Sequence, residues 1–215
     1  MAFDLEEQEK IDRLKAWWEQ WGNLLSGLIL AVMLAILGWY GWNWYQANQT
    51  RNALAYFEIV ESSYRAADDA SLLRLQEANQ ILQDKHNGNI YAGRGALLAA
   101  RAYIDIDDYA QAESELQRVL DSSKKYPELV GAATLQLATI YIDQEQFEQA
   151  LSLLNQEMSG YEALFADKRG DVYFAQGDLA NASAQWTQAS ETSGVSGEFM
   201  QTMQFKLSVL GGADD

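Results

Sequence analysis

The strongest constraint on this chain is a run between Glu19 and Arg51 in which no residue carries a formal charge. Its centre reads Leu28-Ile29-Leu30-Ala31-Val32-Met33-Leu34-Ala35-Ile36-Leu37. At a rise of about 1.5 Å per residue, roughly 20 helical residues cross a hydrocarbon core of about 30 Å. Residues 21–45 are therefore expected to form a single transmembrane helix, with the lipid bilayer as a partner. The flanks agree with this: Trp17, Trp18 and Trp21 stand at one end, and Trp39, Tyr40, Trp42, Trp44 and Tyr45 at the other. Amphipathic rings collect at membrane interfaces in this way. A cleaved signal sequence would have a shorter apolar region of about 7–15 residues and a small-residue exit, whereas this exit is bulky and aromatic. A buried core helix would not explain aromatics crowded at both ends.

Orientation follows from the basic residues. Lys10, Arg13 and Lys15 precede the run, and Arg51 and Arg65 follow it, so the lysine and arginine bias favours a cytoplasmic N-terminal segment at 1–20. Residues 46–215 then form a domain outside the cytoplasm.

The remainder is rich in Ala, Leu, Gln and Glu, which lose little side-chain freedom in helices, and its one proline is Pro127. The composition predicts an all-α chain. Fifteen basic against 31 acidic residues give a net charge of -16, which repels phosphate backbones, so no nucleic-acid partner is expected. Absence of cysteine excludes a disulfide framework and thiolate chemistry.

After the apolar run, Leu54, Phe57, Val60, Glu61 and Tyr64 recur at helical intervals, and a second helix is expected from about Leu72 to Gln83. An internal repeat follows. Tyr103, Tyr141 and Tyr173 are each succeeded six residues later by Tyr109, Phe147 or Leu179. Next come Ala112, Ala150 or Ala182, and then Leu116, Leu154 or Trp186. Such a pattern describes a helix, a tight turn and a second helix, with the tyrosine filling space between the pair and the alanine admitting close approach. Neither helix buries its apolar face alone; stacking successive pairs does. These residues resemble the tetratricopeptide repeat, most closely in the third copy with Gly170, Gly177, Trp186 and Ala189. Ala100 and Ala138 replace the glycine in the first two copies. The tyrosines lie 38 and 32 residues apart, against a repeat of about 34. Two full repeats and one divergent pair are predicted, with a terminal helix Glu198 to Leu210 capping the stack. The expected architecture is an N-terminal transmembrane helix followed by a tetratricopeptide-like helical-hairpin solenoid.

Signatures of catalysis are missing: the chain has no phosphate-binding glycine loop, no dinucleotide fingerprint, no nucleophile elbow and no zinc-protease motif. Neither an enzyme activity nor a cofactor, metal or small-molecule substrate is expected. The lone histidine, His86, falls in a polar break and reads as a loop residue. Asp105-Ile106-Asp107-Asp108 has a calcium-loop flavour, but Ala110 and Leu116 occupy the positions that need Gly and Glu, so it reads as a hairpin turn.

Surface remains as the carrier of function. The first helix of each hairpin lines a concave face in tetratricopeptide arrays, which selects Leu97, Arg101, Ile104 and Asp105, then Leu135, Thr139, Ile142 and Asp143, then Leu164, Asp167, Asp171 and Phe174. Two apolar rows, Leu97-Leu135-Leu164 and Ile104-Ile142-Phe174, suit an apolar peptide or helix from a partner; the alternative is that the terminal helix fills this groove. In the apolar run, Gly27, Ala31 and Ala35 form a small-residue stripe suited to packing against another membrane helix, although small residues are common there.

The order of parts also narrows the family. An acidic N-terminus with Lys10 and Trp17-Trp18, the apolar run, the aromatic exit, degenerate hairpins, Asp167-Lys168-Arg169-Gly170-Asp171, Gln176-Gly177-Asp178 and the ending Met200-Gln201-Thr202-Met203-Gln204-Phe205-Lys206-Leu207 together resemble the YfgM family, ancillary subunits of the SecYEG translocon. Lys168 stands where that family more often has leucine. The resemblance implies a bacterial inner-membrane, single-pass protein whose periplasmic domain associates with the translocon and with periplasmic chaperones or foldases. It implies an adaptor that helps exported chains pass between them. A scaffold for another envelope assembly, such as cell-wall synthesis or secretion machinery, is the alternative.

Overall fold

The computed structural model describes residues 2–192, 194 and 196–211. The expected limits at 1 and 215 lie outside the described residues. Nine α-helices are found among them, with no strand: α1 Ala2–Ala66, α2 Asp69–Lys85, α3 Ile90–Ile104, α4 Tyr109–Asp121, α5 Val130–Asp143, α6 Phe147–Leu154, α7 Glu162–Ala175, α8 Leu179–Glu191 and α9 Gly197–Gly211. A short 3-10 turn, Pro127–Leu129, leads into α5, as proline's fixed φ and missing N–H permit at a helix start. The chain divides into two compact units, one ending at Arg51 and the other beginning at Asn52.

In the first unit, α1 contains no proline and no charge across the apolar run. The most apolar 18-residue window has a mean hydropathy of 2.1 and none of it is buried within the protein. Leu28, Leu30, Leu34, Leu37, Trp39 and Trp44 are all more than half exposed. A helix this apolar with no protein cover is long enough and hydrophobic enough to cross a membrane.

The second unit is a stack of helix pairs whose first helices, α3, α5 and α7, lie side by side. Three hairpins, α3–α4, α5–α6 and α7–α8, share one turn. The carbonyls of Tyr103, Tyr141 and Tyr173 accept hydrogen bonds from the backbone N–H groups of Asp108, Gln146 and Asp178 at 2.9, 2.7 and 2.9 Å. The residue before each donor has a left-handed backbone: Asp107 and Glu145 at φ 58°, Gly177 at φ 79°. This closes the last turn of one helix while the next begins. Asp108 and Asp178 then cap α4 and α8 by accepting from the N–H groups of Gln111 and Asn181, satisfying donors a helix start leaves open. The expected repeat register is thus observed: Ala112, Ala150 and Ala182 are fully buried, as are Leu116 and Leu154, and Trp186 is nearly so.

The two helices expected before the repeats, over Leu54 to Tyr64 and from about Leu72 to Gln83, are present as the end of α1 and as α2. The end of α1 contributes Ala53 and Val60 to the core, with Tyr56, Phe57 and Tyr64 packed beside them, against Leu75, Ala78 and Leu82 of α2 and Ala92, Ala96 and Ala99 of α3. At the far end, α9 packs on α8. Its fully buried Met203, with Phe199, Leu207 and Leu210, closes a core of Ala166, Ala182, Trp186 and Ala189. This is the capping helix expected from the sequence.

Candidate partner-binding surface

Where a hairpin's second helix approaches its first, side-chain volumes must match. A Cβ added to Gly170 would overlap Nε1 and Cδ1 of Trp186 and lie 3.0 Å from Cε2. Glycine is therefore required beneath the indole. The corresponding positions in the other hairpins, Ala100 and Ala138, accompany the smaller Leu116 and Leu154, and all four are fully buried. The apparent degeneracy of the first two copies is thus a compensated exchange of volume.

Trp186 anchors a polar joint as well. Its Nε1 donates to the Asp167 carbonyl and to Asp171 Oδ1, both at 3.2 Å. Lys206 of α9 donates to Asp167 Oδ1 and Asp171 Oδ1 at 2.6 Å each, with its ammonium 5.3 Å from the indole centroid. Burial alone would lower the Lys206 pKa, but the hydrogen bonds to Asp167 and Asp171 outweigh it and hold the pKa above the ordinary 10.5. Burial lifts Asp167 above the ordinary 3.8, against the pull of Lys206. Neighbouring Arg169 ties α7 to the previous hairpin by donating to the Leu154 carbonyl at 2.8 Å and to its own partner helix α8 by donating to Gln185 Oε1 at 2.6 Å.

The sequence-selected residues fall into three environments. Leu97 and Ile104 are half-buried against the core of the first hairpin, Leu135 and Ile142 against that of the second. Leu164 and Phe174 are more open, at 39% and 45% exposed, and Phe174 sits 5.6 Å from Trp186 between ring centroids. Among the polar members, Thr139 donates to the Leu135 carbonyl at 3.0 Å and Asp171 is engaged by Lys206 and by Lys168 at 3.3 Å. Exposed Arg101 pairs with Asp105 at 3.3 Å. In the apolar run, Gly27, Ala31 and Ala35 are exposed, and a Cβ at Gly27 would meet nothing within 4 Å.

Asp105, Asp107 and Asp108, the carboxylates of the supposed calcium-like run, all have local tasks. Asp105 accepts from the Tyr64 hydroxyl at 3.0 Å, Asp107 from Tyr109 at 3.1 Å, and Asp108 caps α4. His86 ends α2 and lies 6.0 Å from the Tyr56 ring.

Leu97 and Arg101 line one groove together. It has a volume of about 460 Å³ and runs between the end of α1, α3 and the α5 residue Gln136. Phe57, Leu97 and Leu98 make its apolar part, while Arg65, Arg94 and Arg101 supply cations. Gln136 Oε1 is buried without a hydrogen-bond partner among the described residues. Of these, sequence reading selected Leu97 and Arg101; the seven-residue spacing of Arg94 and Arg101, which puts both on one face of α3, was the available signal for Arg94.

Comparison with known proteins gives a consistent picture. A family model described as a tetratricopeptide repeat-like domain matches residues 15–212. A Neisseria gonorrhoeae protein is 30% identical over 215 residues, covering 98% of this chain and 100% of its own length. An Escherichia coli protein is 28% identical over 95% of this chain and 96% of its own, and one from Haemophilus influenzae 27% identical over 89% and 92%. All three bear the name ancillary SecYEG translocon subunit. No solved structure shows a significant match.

Proposed function

Because this chain belongs to the family of ancillary SecYEG translocon subunits, built on the tetratricopeptide repeat-like domain, we propose that it is a membrane-tethered adaptor of the protein-export channel. The observation that carries this reading is the extent of the match, which begins at residue 15 and takes in the uncovered apolar helix together with the helical stack. Tethering raises the effective concentration of the stack beside a membrane-embedded partner, so a weak surface contact suffices. The chain acts without catalysis, by protein contacts alone, at the bacterial inner membrane, and residues 46–215 face the periplasm. There its concave side passes exported chains to periplasmic chaperones or foldases. Leu97, Arg101, Ile104, Leu135, Thr139, Ile142, Leu164, Asp171 and Phe174 furnish that side, and the Gly27-Ala31-Ala35 stripe packs on a translocon helix.

Purification of the full chain from gently solubilised membranes tests the reading. SecYEG is expected to co-purify and to be lost when Gly27, Ala31 and Ala35 are replaced by Leu. Recovery of a cell-wall or secretion assembly without SecYEG would overturn it. A cysteine at exposed Ser123 is expected to react with a membrane-impermeant thiol reagent in intact spheroplasts; protection until lysis would reverse the orientation.

A further inference from the structure

The groove on α3 departs from the rest of the chain in charge. Acidic residues outnumber basic ones 31 to 15 overall, yet among the described residues the groove is lined by Arg65, Arg94 and Arg101 with Glu61 as its one carboxylate. Glu61 is engaged by Arg65, and Arg101 pairs with Asp105. Both are exposed pairs four residues apart, of the kind that contributes little, and readily exchanged for a better acceptor. Arg94 has no carboxylate partner among the described residues and rests over the Tyr91 ring at 5.9 Å. At physiological salt the screening length is about 8 Å, so a ligand in the groove feels these guanidinium groups more than the net negative charge of the whole chain.

Spacing defines what fits. Arg94 and Arg101 are separated by two helical turns, about 10.5 Å along the axis, with Leu97 and Leu98 between them. A complementary surface presents two carboxylates at that distance with apolar side chains between. An extended strand puts residues three apart, a similar distance, on opposite faces. A helix with acids at i and i+7 and apolar residues at i+3 and i+4 puts all four on one face. Gln136 of α5 forms the groove's other wall.

We infer that this groove is a docking site for an acidic amphipathic helix of a partner protein, read by the pattern acid-x-x-apolar-apolar-x-x-acid against Arg94, Leu97, Leu98 and Arg101. The inference deepens the adaptor reading, on which it rests, by stating the chemistry of the segment bound.

The test uses the full chain in nanodiscs and a fluorescein-labelled, alanine-rich 18-residue helical peptide carrying Glu-Ala-Ala-Leu-Leu-Ala-Ala-Glu, beside a twin with Lys for both Glu. At about 0.15 M salt, anisotropy is expected to show the acidic peptide binding at least about tenfold more tightly, a gap that shrinks in higher salt. Arg94→Glu with Arg101→Glu is expected to reverse the preference, while Lys124→Glu with Lys125→Glu, outside the groove, leaves it unchanged. Should the double Glu variant lose its helical circular dichroism, Arg94→Gln with Arg101→Gln is expected to abolish the preference instead. Equal binding of the twins, binding of neither, or a folded charge-swapped variant that still favours the acidic peptide would overturn the inference. So would concentration-dependent self-association lost in the double variant without peptide binding, since the occupant is then a second copy. Loss of SecYEG co-purification with the peptide preference intact would count against the adaptor reading alone.

Discussion

Hairpins α3–α4 and α5–α6 place leucine, Leu116 or Leu154, where the third places Trp186, and alanine, Ala100 or Ala138, where it has Gly170. Their left-handed turn residues are Asp107 and Glu145, where the third uses Gly177. Alkyl packing closes the first two pairs, while the third is closed by an indole that also donates hydrogen bonds and faces a lysine from the capping helix. The same helical connection is thus reached through two volume solutions. The polar one sits where the stack ends and the last pair has no further repeat to cover it, so Lys206 and Met203 of α9 supply what a next repeat would. Terminal repeats are commonly atypical for this reason.

Thermal or urea unfolding of the full chain in detergent, followed by helical circular dichroism, can break this contrast. The largest expected loss is from Trp186→Ala, about 3–5 kcal/mol, exceeding that of Leu154→Ala because the hydrogen bonds go with the ring; equal losses would show the polar joint to be idle. Next, Gly170→Ala is expected to cost about 1–3 kcal/mol through overpacking, and far less when Trp186→Leu is already present. Additive losses in that double-mutant cycle would mean the two positions do not share a volume.

A smaller effect is expected from Lys206→Met, about 1–2 kcal/mol, discounted because the groups retain about a quarter of their exposure. Its pH dependence carries the sign. A raised lysine pKa adds stability that is complete below the ordinary 10.5 and is lost as pH rises through the elevated value. Asp167, raised by burial, holds its proton more tightly when folded, so its ionisation reduces stability as pH climbs above 3.8. Lys206 limits that loss. Hence the gap between the native chain and Lys206→Met is expected to open from acid to neutral pH and to close in strong alkali; a flat gap would remove the ion pairs from the account. Smallest is Glu145→Gly, expected to stabilise by up to about 1 kcal/mol by relieving a left-handed backbone, with Gly177→Ala costing about 1 kcal/mol for the same reason. Opposite signs in melting temperature check it.

The repeat register was legible because it is local: tyrosine, turn, alanine and large residue fall within one hairpin, and one hydrogen-bonded turn links them. What was not legible depends on residues distant in sequence. Lys206 lies 39 residues from Asp167 and 35 from Asp171, and nothing near Met203 announces a salt bridge. The two helices before the repeats were legible from their periodicity, but not that they join the core of the first hairpin, because Ala53, Phe57 and Val60 continue the apolar helix of the membrane run. As for the surface, assigning whole positions of α3, α5 and α7 to one face selected Leu97 and Arg101 in the groove, but also Ile104, Leu135 and Ile142, whose side chains lie partly in the core. Arg65 joins the cationic cluster through the fold, since α1 and α3 are separated in sequence by α2.

The fit of Trp186 over Gly170 also bears on how such repeats can diverge from one another. Converting the third hairpin to the packing of the other two requires both changes, and the order is not free. Alanine at 170 while the indole is present meets a clash, whereas leucine at 186 first leaves a void that the later methyl group partly fills. Only the path through the underpacked intermediate is open, and the reverse journey must likewise remove the methyl group before admitting the larger ring. The pair therefore constrains the order of substitution in both directions, and the tolerance of either position is set by what its neighbour already is.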